Sequence, residues 1–487
     1  VADTESAVKE RSAQRESTAQ KWTILLYQSN DNNLSEEGIY ALKEIKKVGT
    51  KPEATRDQPD PPTKVNLFAQ FDPVGRGNNT RIFHIKGGDP KGKIKDEDVF
   101  DTLGEVDMSD PETLRKFLIT GIREFKHDTT HFMVILSGHG GGVTEGFLMR
   151  DEERRLSEIP SSLPINDLKK EVFDHEELKA ALGDRKINIL GFDACMMSTV
   201  EVCYELHDVQ TVELVVGSEG FSLNAGWPYD KLVGGLKSKQ DLTPLGLCQL
   251  LVKEHAEFYK DYHLGGLSTD LSIIKLNGIA DLKQKIEDLA KALTEKFEEE
   301  GKDTDFDKDL EDLPPDARLF YKLRGKPFQD AIILAHWAAQ SYNGEQSVDL
   351  YDFCELLQKR SHSFESSSGS GSIFDYCERV KTAIRNVVDL TCYEGAAFQF
   401  SRGISLYFPW SAVNFSPNYR ERLRFARDAP QWIRFIDTYV QATQRLPRRP
   451  RKFDDKFRST PPYSRGPEGR ILSMRNPPKY FKEHSCG

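Results

Sequence analysis

Apolar residues along this chain recur in two distinct patterns. Short, nearly continuous apolar runs occur at WTILLY from Trp22, KVNLFAQFD (64–72), HFMVILS (131–137), KINILGFD (186–193) and VELVVGS (212–218). TRIFHIK (80–86) alternates instead. Runs of this length predict strands, and the unbroken ones predict a parallel sheet buried on both faces. Helical spacing lies between them. LSEEGIYALKEIKKV places Glu36 and Glu37 at the positive end of a helix, and DPETLRKFLITGIREF (110–125) carries proline in its first turn. Repeated strand–helix–strand order predicts an α/β sheet covered by helices on both sides. The second half is more helical: LTPLGLCQLLVKEHAEFYKDY, ADLKQKIEDLAKALTEKFEEE, AIILAHWAAQSY and SVDLYDFCELLQKR all show helical spacing. AFQFSRGISLYFP (397–409) returns to strand. No repeat of fixed period is present.

Composition narrows the class. At roughly 100–200 residues per domain, 487 residues suit several units or one large enzyme with insertions. No apolar run approaches the roughly 18 residues that span a bilayer. Seven cysteines without a CxxC pair exclude a disulfide scaffold, a zinc ribbon and a thioredoxin-type site. The net charge is −10, yet residues 445–487 hold twelve Lys and Arg against four Asp and Glu, so the rest is strongly acidic. That tail is proline-rich and reads as disordered. No stacking motif or basic helix accompanies its charge, so nucleic-acid binding by the tail is not expected. Residues 1–20 are nearly devoid of bulky apolar side chains and read as a flexible leader. The chain starts at Val1 without an apolar signal stretch; a leader removed ahead of it would make this an exported protein.

Candidate chemistry sits where two buried strands end, the place where open α/β sheets form their sites. MVILSGHGGG puts His139 among Gly138, Gly140, Gly141 and Gly142. Glycines there let the backbone approach a ligand and present its N–H groups. INILGFDACMMSTVEV puts Cys195 after the next strand and at the start of a helix pattern, where the dipole would favour a thiolate. Taken alone, each residue has a bland account: a small buried hydrophobe, or a backbone-capping imidazole. Together, 56 residues apart at two strand ends, they supply the thiolate and imidazole that nucleophilic acyl transfer needs.

With these stretches in view, the chain resembles the clostripain family of cysteine peptidases, within the wider group of caspases, metacaspases, legumain and gingipains. The carrying segments are WTILLYQSNDNNL, LGEVDMSDPETLRKF, SGHGGG, GFDACMMSTVEV, GSEG followed by GWPYD, LSTDLS, VDLYDF and RGISLYFP, spread from Trp22 to Tyr439. The resemblance implies a caspase-like α/β/α sandwich with a mostly parallel central sheet and a more helical C-terminal half. It implies endopeptidase activity on protein or peptide substrates, cleaving after Arg or Lys, with His139 as general acid/base and Cys195 as nucleophile. Backbone N–H groups of Gly140 and Cys195 would form the oxyanion hole. Asp193 would bind the substrate's guanidinium, its alternative role being a helix cap. Asp230 in GWPYD would add a second negative charge. The chain then divides into the leader 1–20, a catalytic region 21–245, a C-terminal helical region 246–440 that completes the fold, and the tail 441–487.

Three further expectations follow. Residues 150–172 read as an expanded polar loop between the two catalytic elements, and Arg154 or Arg155 within it is the expected site of self-cleavage. No cofactor is required. Calcium, which some relatives need, lacks an EF-hand: a loop starting at Asp303 would need glycine at 308 and glutamate at 314, where the chain has Lys308 and Pro314. The alternative reading is a catalytically silent caspase-like binding module, which loss of His139 or Cys195 would have favoured.

Overall fold

The apolar runs do form strands, and their alternation decides which face each helix covers. The computed structural model describes residues 20–50, 63–75, 77–148, 162–239, 242–261, 266–301, 327–342, 346–365, 369, 371–412 and 414–444. The strands are β1 (Gln20–Asn30), β2 (Thr63–Pro73), β3 (Thr80–Ile85), β4 (Val99–Gly104), β5 (His131–Ser137), β6 (Ile187–Asp193), β7 (Val212–Gly217), β8 (Thr269–Lys275), β9 (Ser341–Tyr342), β10 (Ser347–Asp349), β11 (Val388–Glu394) and β12 (Ser405–Tyr407). Nine of them form one sheet in the order β11-β8-β7-β6-β5-β1-β2-β3-β4. The central five, from β7 to β2, are parallel; β8, β11, β3 and β4 add antiparallel edges.

Successive side chains on a strand point to opposite faces. Leu25, Tyr27, Val134, Leu136, Leu190 and Phe192 join one apolar cluster, together with residues of helices Pro111–Phe125, Val200–Leu206 and Ile279–Gly301. Ile24, Leu26, Met133, Ile135 and Ile189 join the other, with residues of helices Ser35–Val48, Tyr229–Ser238 and Pro244–Tyr259. The result is a caspase-like α/β/α sandwich. The helix Pro111–Phe125 starts as its sequence signals: Asp110 caps it, its side chain accepting from the Glu112 N–H, and Pro111 opens the first turn.

The second half departs from its helical reading at the sheet edge. β8 and β11 come from that half and extend the sheet antiparallel beyond β7. AFQFSRGISLYFP is strand only at Ser405–Tyr407, preceded by a tight turn at Ala396–Phe398. The stretch 150–172 is also not one open loop. Leu163 pairs with Phe147, and residues 165–173 form a helical turn and a wide π-type turn that bury Ile165, Leu168, Val172 and Phe173. The last helix, Pro430–Gln444, runs into the start of the stretch assigned to the tail.

Buried carboxylates stitch the C-terminal half onto the sheet. Glu201 accepts from the Tyr407 N–H and the Tyr419 hydroxyl, each at 2.9 Å. Glu219 accepts from the Gly403 N–H at 2.7 Å, and Asp270 accepts from the amides of Glu219 and Gly220. Asp349 caps the helix Leu350–Arg360 through the Asp352 N–H and also accepts from the Arg402 N–H. Burial pushes Glu201 up to about 7 and holds Asp349 above the usual carboxylate range. Glu219 is pushed well up, first by burial and then by the neighbouring charges of Asp349 and Asp270. Groups raised on folding keep a proton that the unfolded chain releases near pH 4. Their contribution is complete in acid and is lost as pH rises through the raised values. The melting temperature should therefore fall between about pH 4 and about pH 7 and level off above that. Glu219→Gln, which removes one of the crowded charges, should flatten that fall; parallel melting profiles for the two proteins would contradict this account.

Candidate active site

β5 and β6 lie side by side, with Ser137 paired to Asp193. His139 and Cys195 each lie two residues past that pair, so one register carries both loops to the same end of the sheet. The Gly138 N–H donates to the Asp193 carbonyl at 3.2 Å and keeps the loops together beyond the strands. Gly140 then approaches closely: a Cβ there would lie 2.2 Å from the Cys195 carbonyl oxygen and 2.9 Å from its nitrogen. Only glycine fits that contact. After Cys195 the chain turns sharply, with Met196 in the left-handed region (φ 58°) and its N–H donating to the Gly220 carbonyl at 2.8 Å. Cys195 is disulfide-bonded, packs with Leu34, Met196 and Phe221 and has no exposed surface; its Sγ lies 3.8 Å from the Ser222 carbonyl oxygen. The His139 ring is half-buried, and its Nε2 meets the Asn33 Oδ1 at 2.6 Å.

Beside these loops lies a cleft with about 380 Å³ of empty space, part of it open to solvent, lined by residues that include Asp193, Ser137 and Tyr229. Asp193 is 7% exposed. It accepts from the Tyr229 hydroxyl at 2.7 Å, the Ser137 hydroxyl at 3.3 Å and the Trp227 N–H. Gly226 (φ 67°) lets the following turn reach it, because a Cβ at that position would lie 2.9 Å from Asp193 Oδ2. Burial raises the Asp193 carboxyl to about 6, against the lowering effect of those three donors. A buried acid with no cation beside it among the described residues, at the wall of a cleft, is suited to receive one from a ligand.

The sequence profile of the clostripain family matches residues 26–437. The chain belongs to the clostripain family. It is a cysteine-type endopeptidase acting on peptides or proteins. Clostripain of Hathewaya histolytica is 26% identical over 396 residues, which cover 72% of this chain and 68% of that relative. Two solved structures share the fold. One is a secreted C11 cysteine protease from Bacteroides thetaiotaomicron in complex with an irreversible peptide inhibitor, at TM-score 0.53 and 16% identity, covering 84% of this chain and 99% of that one. The other is an inactive zymogen C11 protease from Parabacteroides distasonis, at TM-score 0.52 and 17% identity, covering 85% and 99%.

Within this clostripain-family site, several residues stand elsewhere than their sequence suggested. The helix after Cys195 starts only at Val200 and is capped by Thr199, whose side chain accepts from the Val202 N–H. Cys195 therefore gains no helix-dipole support, and Asp193 is no helix cap. Asp230 does not line the cleft; it sits in the first turn of helix Tyr229–Ser238, 3.7 Å from Lys231, and its neighbour Tyr229 lines the cleft instead. Arg154, Arg155 and the acidic run at 303–309 lie outside the described residues. Among the described residues no group of three or more His, Cys, Asp or Glu is placed to hold a metal ion, and no helix is long and apolar enough to cross a membrane. Asn33, Ser137 and Tyr229 were not singled out beforehand. Their only trace in the sequence is the polar QSNDNN that follows an apolar strand, the serine closing HFMVILS and the tyrosine of GWPYD.

Proposed function

We propose that this chain cleaves peptide bonds on the carboxyl side of arginine, and less readily lysine, through a Cys195–His139 dyad. The observation that carries the reading is the shared register that brings both loops to one strand end beside a cleft walled by Asp193. Asn33 accepts from His139 Nε2, so the ring's proton sits there and Nδ1 is the basic nitrogen. Once the Cys195 disulfide is reduced to the thiol, His139 takes its proton, the Cys195 sulfur attacks the scissile carbonyl, and the N–H groups of Gly140 and Cys195 stabilise the oxyanion. His139 then protonates the departing amine, and water, deprotonated by the same ring, releases the acyl product. Asp193 receives the guanidinium of the residue before the cut.

Self-cleavage at Arg154 or Arg155 belongs to the same reading. Phe147 and Leu163 exchange backbone hydrogen bonds at 3.1 and 2.8 Å, so both ends of the intervening segment are held next to the His139 loop. A cut between them leaves two associated chains.

The direct test is hydrolysis of fluorogenic peptides ending in Arg, Lys, Asp or Asn by wild type and Cys195→Ala, with denaturing gels and terminal sequencing of each preparation. Turnover after Arg, absent from Cys195→Ala, is expected. Retained turnover in that variant, or preference for Asp or Asn, overturns the reading. Equal nicking of both proteins would assign the 149–161 cut to another protease.

The raised Asp193 carboxyl adds a pH prediction. Below about pH 6 the carboxyl keeps its proton and offers a guanidinium no charge; above it the pair forms. The inhibition constant of an arginine-based competitive inhibitor should fall as pH rises from 5 to 7 and then level off. Asp193→Asn should weaken that inhibitor by roughly two to four decades at pH 7. It should also lower the melting temperature, since the Trp227–Tyr229 turn loses its anchor. An unchanged inhibition constant across that pH range would remove Asp193 from the binding role.

A further inference from the structure

The cleft is also lined by Gln28 and Asn30, from the end of β1, and by Glu37, from the first turn of helix Ser35–Val48. Each presents a buried oxygen with no hydrogen-bond donor: Gln28 Oε1, Asn30 Oδ1 and Glu37 Oε2. Gln28 and Asn30 are 1% and 2% exposed. Chemistry fixes which way their amides point. Gln28 Nε2 donates to the Gly38 carbonyl at 3.4 Å and Asn30 Nδ2 to the Leu34 carbonyl at 2.8 Å. A carbonyl only accepts, so the nitrogens must face those groups and the oxygens are left over. Glu37 Oε1 accepts from Asn224 Nδ2 at 3.3 Å, which holds the carboxylate in place and leaves Oε2 over.

Buried acceptors without donors are costly, and natural structures keep them for a reason. Here three gather in one cleft with the Asp193 carboxyl. A group that would satisfy them is rich in donors and carries positive charge. A guanidinium has five N–H donors in a planar fork and no acceptor, whereas an ammonium has three on a point charge.

We propose that Glu37 is a second specificity-determining carboxylate of this cleft, taking one arm of the arginine guanidinium while Asp193 takes the other. The inference rests on the arginine reading above and adds to it the reason for arginine over lysine: an ammonium cannot span two carboxylates and the amide oxygens of Gln28 and Asn30.

The test compares kcat/KM on peptides that differ only in the residue before the cut: arginine, its uncharged isostere citrulline, and lysine. Wild type, Glu37→Gln and Glu37→Asp are measured alongside their melting temperatures. Gln keeps the shape of the side chain and removes its charge. The arginine-to-citrulline ratio should fall roughly ten- to a hundred-fold in Glu37→Gln, chiefly through KM, and the arginine-to-lysine ratio should fall with it. Glu37→Asp keeps the charge with a shorter reach and should lie between. A wild type that strongly prefers arginine together with a Glu37→Gln ratio within about two-fold of it would overturn the role of Glu37 and leave Asp193 as the sole acid. A wild type indifferent between arginine and citrulline would overturn the arginine reading and the role of Glu37 with it.

Discussion

The pairing of β5 with β6 is the constraint on which the site depends. Because Ser137 sits opposite Asp193, the residues beyond each strand leave the sheet at the same height. A slip of one residue would turn every side chain of one strand to the other face. Leu136 and Phe192 would leave one apolar layer, and Met133 and Ile189 the other. Core packing on both sides of the sheet therefore locks the alignment of the two loops. The glycines of SGHGGG then convert alignment into contact, since Gly140 brings its backbone against that of Cys195.

The cleft wall depends on an acid used in two ways. Asp193 organises the turn at Trp227–Tyr229 through donors from that turn, and it is also the charge a basic substrate would meet. The carboxylates on the other side of the Cys195 loop are different. Glu201 and Glu219 bind backbone amides of the 403–407 segment, so a strand more than 180 residues away supports the turn that carries Cys195. The isolated bridge between Thr199 and Ser405 and the Ser198–Gly403 contact complete that support.

How much of this was legible in the sequence follows from where each residue's partners lie. The central strands were readable because a strand buried on both faces must be apolar throughout. That His139 and Cys195 end up at neighbouring strand ends was readable because each follows an unbroken apolar run. β8 was not read as a strand. Its sequence, TDLSIIK, mixes in Asp270 and Ser272, which are buried because they bond to Glu219, Gly220 and Thr391 far along the chain. The helix expected at Cys195 failed for a local reason: Met196 adopts a left-handed turn, and Thr199 is the better cap. Asn33 and Glu37 look like ordinary solvated positions at a strand–helix junction. What distinguishes them is contact with His139 and Asn224, 106 and 187 residues away, and no local pattern encodes such a distance.

The pairing of Phe147 with Leu163 has an evolutionary side. It closes a loop whose ends are fixed by the fold, while the thirteen residues from Met149 to Ser161 stand outside that fixed pair. Loop-closure entropy rises slowly with length, by about 0.6 kcal/mol per doubling. The segment can therefore lengthen, shorten or change its basic residues at small thermodynamic cost, while β5, β6 and the loops they carry stay as they are. The position of any cut made there could drift without disturbing the loops that carry His139 and Cys195.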